Sequence, residues 1–396
     1  MTEYTDARAV VIGGSIGGLT AALLLRDLGF TVEVYERSSA TLSDRGSGIV
    51  LQPDTVRWFT DRSGQSLCDL STSTHHVQYL NHDRGIDYRE ERTYHYTAWG
   101  TIYRALLADF GSARYHLGEY ATGFSQTSQT VAVRFASGRT VSADLVVFAD
   151  GITSIARQRF DPDATLRYSG YVGWRGTHPQ RSLSRQAREV LSDALTFDVV
   201  ANSHVIVYPI PGEDGTRPEH QLVNYVWYRN VGEGPELNKL LLDKRGTAGL
   251  VSVHPGQVQN HYIEELKAAA AQQLSPAVAE VVVATEMPYL QVVSDVRSGR
   301  MAQGRVALIG DAACGARPHA AAGTAKAAAD AWALAGALGD AAGDVTAALT
   351  KWEPGQLELS DSLTRRVIAM GNRSQLTNSW TPGDPDLRFG LYGPGQ

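Results

Sequence analysis

The sequence predicts an α/β fold carrying an inserted α+β lobe, and three observations predict it. Near the amino terminus the loop GGSIGG, Gly13 to Gly18, lies between an apolar strand-like run and a helical repeat. Far downstream a second apolar run, Val306 to Ile309, stops at Gly310-Asp311 and gives way to a small-residue loop and an alanine-rich helical pattern. Between them, YSGYVGWRG, HVIVYPIPG and QLVNYVWYRN alternate like sheet strands with one packed face and one free to line a cavity. Together they describe a Rossmann-like dinucleotide-binding domain with an inserted mixed β-sheet substrate domain and C-terminal helices.

Each element follows from local pattern. Ala9 to Ile12 reads as a strand, Ile16 to Leu28 repeats apolar residues at helical spacing, and Thr31 to Glu36 is strand-like again, which makes a βαβ unit. Arg45 to Pro53 is extended and glycine-interrupted, and Trp99 to Phe110 is helical. From 114 to 149 short strands and turns alternate, with Ser137-Gly138 as one turn, and they close on Asp150-Gly151. After the aromatic-rich run come helical stretches at Glu236 to Leu242 and Val258 to Leu274, and the α/β pattern resumes at Arg305. The nucleotide domain is therefore expected to be discontinuous, over 1–70, 98–165 and 285–345, with the sheet domain at 71–97 and 166–284. Residues 346–396 are expected to form a C-terminal helix and an irregular tail draped on the surface.

Composition narrows the function classes. A chain of 396 residues, 43% apolar and 20% charged, has the make-up of an ordinary soluble enzyme. A net charge of −6 offers no basic face, so nucleic acid is not an expected partner. Two cysteines, Cys68 and Cys314, make neither a disulfide framework nor a metal site, so no metal is expected and a reducing cytoplasm is the simplest setting. No apolar stretch reaches the length of a membrane span, and the acidic start of MTEYTDARAVV is the wrong order for a secretory signal, so neither export nor anchoring is expected.

The chemistry lies in three blocks. In GGSIGG, Gly13 permits the tight turn and Gly18 the close packing of helix on strand, while the helix start faces a pyrophosphate. The middle fingerprint position is Ser15, whose hydroxyl can donate to a phosphate. Glu36 ends the second strand, where a carboxylate holds adenosine ribose hydroxyls. Arg37 admits two readings, selection of a phosphorylated ribose or a solvated charge stacked on adenine, and the second is preferred because Asp311, placed where a ribityl or ribose hydroxyl could be gripped, implies a flavin. The second block is ADLVVFADGITSIAR, a buried strand, the Asp150-Gly151 turn and then Arg157. The third is RVALIGDAACGARPHAAAG.

In this order and near these spacings, the blocks resemble the single-component FAD-dependent aromatic hydroxylases of the p-hydroxybenzoate hydroxylase type, over nearly the whole chain. The segments VYERS, GSGIVLQP, YVGWRG, VYPIPG and RPHAAAGTAKA point to a branch acting on hydroxypyridines. The resemblance implies a bound FAD with Gly13, Gly14, Ser15, Ile16, Gly18, Glu36 and Arg37 around its ADP half, and Asp311 on its ribityl chain. It places Pro318, Ala322 and Gly323 beside the isoalloxazine, assigns Asp150 and Gly151 to both FAD and a transient NAD(P)H, and puts Arg45 in the region of a flavin-contacting arginine. The implied reaction is NAD(P)H- and oxygen-dependent hydroxylation of an electron-rich ring, such as 2,6-dihydroxypyridine, through a flavin hydroperoxide, by a homodimer. The sequence departs from the group at Cys314, Phe148, Ala321, Ala325 and Trp99, where the group usually keeps histidine, glycine, glycine, asparagine and arginine.

A base that removes the substrate's hydroxyl proton would raise the ring's nucleophilicity. The candidates are His319, Tyr208, Tyr225 and His204; equally, a loop histidine can bond to backbone and strand tyrosines often serve packing. Trp174, Trp227 and Tyr228 fit either a pocket wall or the core, and Cys314 fits a small buried thiol. Two other readings stand beside this one: the same chemistry on a phenolic or polyketide ring, and a flavin-binding regulator without turnover.

Overall fold

The structure, a computed structural model, describes residues 4–43, 47–81 and 85–396. The nucleotide lobe is built on a sheet ordered Ala302–Gln303, Val306–Leu308, Leu145–Phe148, Arg8–Ile12, Thr31–Glu36, Tyr115–Leu117, parallel except at its first hairpin. Its central strands are buried on both faces, which is why they read as unbroken apolar runs. Helix Ile16–Asp27 packs beside the alanine-rich helix Gly323–Asp340, so the first and third blocks meet although they are far apart in sequence.

The second sheet runs Ser252–Val253, Tyr289–Arg297, Arg167–Pro179, Leu222–Asn230, Ser203–Ile210, Ala194–Val200, Thr72–Asn81, Gly85–Ala98, Gly48–Leu51 among the described residues. It takes in two strands, Gly48–Leu51 and Tyr289–Arg297, that the sequence division at 70 and 285 assigns to the nucleotide domain. Their partners across the sheet, Gly85–Ala98 and Arg167–Pro179, decide their membership, and pairing is not visible in a single strand's pattern.

The sheet's two faces are distinct. Val205, Val207, Tyr225, Trp227 and Trp174 pack into one core with the helices Arg185–Leu191, Asn260–Gln273 and Pro276–Ala284. Ile206, Tyr208, Val226, Tyr228 and Tyr171 face the other way, toward the nucleotide lobe and the helix Val345–Gln375. The C-terminal tail is irregular but is not draped on the surface. Trp380, Leu387, Phe389 and Leu391 are buried, and Gly390 donates its N–H to Ala320 O at 3.1 Å, because a tail rich in Pro and Gly still carries large apolar groups to bury.

Candidate active site

A cavity of about 1000 Å³ lies between the lobes, at the carboxyl ends of the parallel strands, and all three blocks border it. At one end, Gly13 takes a φ of +103° and donates its N–H to Tyr35 O at 2.8 Å. A Cβ on Gly18 would stand 1.9 Å from Gly13 O, so the helix can approach the loop only with glycine there. Ser15 occupies the N-cap of that helix without capping it, which leaves first-turn N–H groups for an anion. Glu36 is buried, its two oxygens accepting the N–H groups of Gly14 and Ser38, each at 2.9 Å. Arg37 borders the cavity beside Thr153, to whose hydroxyl it donates at 3.4 Å.

At mid-cavity stand two carboxylates. Asp150 accepts the N–H of Ile155 at 3.1 Å through Oδ2, while its buried Oδ1 has no hydrogen-bond partner among the described residues. Burial raises its pKa. Asp311 opens to the cavity but is enclosed by protein elsewhere, and desolvation raises its pKa too, against the opposing charges of Lys326 and Arg157. Arg157 ties the two carboxylate turns together by donating to Ile152 O, to Asp311 O at 3.3 Å and to Ala312 O at 2.9 Å. Behind Asp311 lies a buried ion pair, Lys326 Nζ to Asp330 Oδ2 at 2.6 Å, and the same Oδ2 accepts the N–H of Gly310 at 2.8 Å.

The far end is a chamber roofed by the sheet. Tyr208, Tyr228 and Arg175 line it from the sheet, Phe389 from the tail and Pro318 from the third block. The hydroxyl of Tyr208 donates to Gly48 O at 2.8 Å, and Arg175 Nη1 donates to Ser47 Oγ at 2.6 Å. Helix Gly323–Asp340 begins at the cavity with no side-chain cap, so its positive pole faces whatever lies there. Gln52 Nε2 holds the preceding loop by donating to Ala320 O at 3.1 Å and Ala321 O at 2.7 Å.

Comparison with known proteins places this geometry in a family. A family model described as FAD binding domain-like matches residues 168–295, which fall in the inserted sheet lobe rather than on the glycine loop. A 2,6-dihydroxypyridine 3-monooxygenase of Paenarthrobacter nicotinovorans is 38% identical over 99% of this chain and 97% of its own. The chain belongs to the FAD-dependent aromatic hydroxylases. A solved structure of 2,6-dihydroxypyridine-3-hydroxylase from Arthrobacter nicotinovorans superposes with a TM-score of 0.92 at 36% identity, covering 99% of both chains. The 3-amino-4-hydroxybenzoate 2-monooxygenase of Streptomyces cremeus is 26% identical over 97% of this chain and 92% of its own.

The residues present fit the hydroxylase cofactor, FAD. The uncapped helix start suits its pyrophosphate, Glu36 its ribose, and Asp311 a ribityl hydroxyl, while the unpartnered Asp150 Oδ1 is an acceptor awaiting a donor. Of the residues assigned to FAD, Gly13, Ser15, Glu36, Arg37, Asp150, Gly151, Asp311, Pro318, Ala322 and Gly323 border the cavity. Gly14, Ile16 and Gly18 frame it from behind, and Arg45 lies outside the described residues.

The base candidates fare differently. Only Tyr208 reaches the cavity. Tyr225 pairs with Val207, the neighbour of Tyr208, and cross-strand partners share a face, so Tyr225 points into the opposite core. His319 is fully buried behind the loop, its Nε2 2.6 Å from the hydroxyl of Tyr171, and His204 is buried beside it. Neither histidine borders the cavity; burial lowers His319 well below the ordinary histidine range and His204 to about 3. Trp174 and Trp227 belong to the core, whereas Tyr228 lines the chamber. Sequence reasoning missed Arg175 and Phe389. The arginine was in view within YVGWRG, and its even spacing from Tyr171 along the strand is the signal that sets it on the cavity face.

Proposed function

We propose that this hydroxylase acts on a hydroxypyridine, with 2,6-dihydroxypyridine as the ring to test first, using NAD(P)H as a transient reductant and molecular oxygen as co-substrate. The observation that carries the reading is one cavity with a dinucleotide cradle at one end and a chamber of Tyr208, Tyr228, Arg175 and Phe389 at the other. A relative named for that substrate, alike over the full length of both chains, supports the choice of ring.

FAD, when bound, supplies the redox and oxygen-activating chemistry. The chain supplies the rest. Glu36, Asp311 and the helix Ile16–Asp27 fix the cofactor by its ribose, ribityl and pyrophosphate parts. The aromatic walls exclude bulk water from the reacting ring, and Tyr208 and Arg175 offer polar contacts that orient it. The chain has a single dinucleotide fingerprint, which suits a nicotinamide donor that docks and leaves. Among the described residues no helix is long and apolar enough to cross a membrane; a cytoplasmic homodimer is the assembly proposed.

The purified protein is expected to be yellow and to oxidise NAD(P)H faster with 2,6-dihydroxypyridine, forming a product heavier by one oxygen atom. A colourless protein that takes up no FAD would overturn the assignment. Stimulation by phenols alone moves the substrate to a phenolic ring, and peroxide without product in every case points to a regulator.

A further inference from the structure

His319 and His204 both lie behind the wall, so neither of these candidates can take a proton from a hydroxyaromatic ring in the chamber. The chamber wall does carry a cation. Arg175 sits on the strand Arg167–Pro179, half-buried, opposite Val226 and Tyr289. Among the described residues no carboxylate lies within ion-pair distance of its guanidinium, whereas Arg317 has Asp295 at 2.8 Å and Lys326 has Asp330. Among the described residues its one hydrogen bond runs from Nη1 to Ser47 Oγ and its buried Nε has no partner; the guanidinium borders the chamber. Keeping a guanidinium half out of water with no counter-charge is costly, and an arriving anion relieves that cost.

Resting on the hydroxypyridine reading, we propose that Arg175 is the anion-recognising residue of the ring chamber: it takes the hydroxyaromatic substrate as its oxyanion, already ionised by loss of a proton to solvent. The ring then arrives activated, because the ionised oxygen donates electron density into it, and no protein base beside it is required. The titratable groups facing Arg175 among the described residues are Tyr208, Tyr228 and Tyr289, with His254 at the mouth. The first two stay protonated across the working range, burial pushing the hydroxyls of both Tyr228 and Tyr208 up, Tyr228 to about 12, so neither competes with the anion for the cation, and Tyr228 can donate to it while Tyr208 donates to Gly48 O.

The test titrates the FAD-loaded protein with 2,6-dihydroxypyridine, following the flavin absorbance through the ring's own ionisation, and repeats the titration with the di-O-methylated analogue, which cannot ionise. Wild-type affinity for the dihydroxy ring is expected to fall about tenfold per pH unit below the ring's pKa, as the anion becomes scarce. Arg175→Met is expected to lose about 10- to 100-fold in affinity for that ring and most of this pH dependence, to bind the dimethyl ether within about threefold of wild type, and to keep its FAD affinity. Arg175→Lys should recover part of the loss, which separates charge from fold. Equal weakening toward both rings, no weakening, or loss of FAD affinity instead would overturn the proposal. If the wild type binds no dihydroxypyridine, the substrate reading fails, and a phenol that it does bind carries the same comparison.

Discussion

The hydroxyl of Tyr171 and Nε2 of His319 lie 2.6 Å apart, and this bond holds the histidine on the far side of the loop whose Pro318 and Ala321 face the cavity. Burial keeps Tyr171 protonated and His319 neutral, so the two share a neutral hydrogen bond whose direction follows the histidine tautomer. The imidazole packs at a tilt against Tyr228, 4.8 Å between ring centroids, and so it buttresses a chamber wall without touching the chamber.

Replacing His319 by Gln should therefore leave the pH dependence of turnover unchanged. A side-chain amide can either accept from or donate to Tyr171, and kcat/KM is expected to stay within about fivefold of wild type, with stability reduced by about 1–3 kcal/mol for the altered packing and hydrogen bonding. A pH–rate profile of the variant checks this. Loss of an ionisation from the profile would restore His319 as the base.

The same buried histidines couple folding to pH. Both have folded-state pKa values below the unfolded value of about 6.5, that of His204 at about 3. Above that unfolded value the two states bind equal numbers of these protons and stability is unaffected. As pH falls below it, the unfolded chain gains protons that the folded one refuses, and stability drops by about 1.4 kcal/mol per pH unit for each histidine. Urea midpoints measured against pH for wild type and His204→Phe should diverge in that acid window, with the variant's curve the flatter. Parallel curves would mean that His204 titrates normally.

What the sequence made legible was local geometry. The turn at Gly13, the carboxylates at Glu36 and Asp311 and the helix starts depend on a few neighbouring residues, and each borders or frames the cavity as its pattern implies. What it hid depends on distant pairing. The face of Tyr225 follows from its register with Val207, the direction of His319 from Tyr171, and the aim of Arg175 from Ser47. The tail misled because Pro and Gly set its backbone, whereas Trp380 and Phe389 set its burial.

Register gives a paired prediction. Tyr208→Phe removes the bond to Gly48 O from the chamber wall and should raise the substrate KM, at a cost of about 1 kcal/mol in stability. Tyr225→Phe, on the opposite face, should leave both kcat and KM near wild type. Steady-state kinetics on the two variants side by side checks the facing. A larger effect at Tyr225 would contradict the register.

The Lys326–Asp330 pair supports Asp311 from behind. Lys326→Met leaves a buried carboxylate facing only the Gly310 N–H, and the expected loss is about 3–5 kcal/mol, read by urea unfolding. Adding Asp330→Leu should return only part of it, because the Gly310 N–H then loses its acceptor. Full recovery would show that the pair is not what holds the loop.

Gly18 separates fold from cofactor binding. A Cβ there would meet Gly13 O at 1.9 Å, a backbone atom that can move only by displacing the loop itself. The sheet strands Arg8–Ile12 and Thr31–Glu36 are held by their own ladder and by core residues away from the loop, so the lobe has support that does not pass through this contact. Gly18→Ala should therefore fold with near-native circular dichroism yet bind FAD at least about tenfold more weakly, since the loop's N–H groups no longer converge on one anion. Equilibrium titration of the stripped apoprotein with FAD measures the loss directly. If the variant kept wild-type affinity, the close approach of helix to loop would be a packing feature alone, and the helix start would not be the pyrophosphate site.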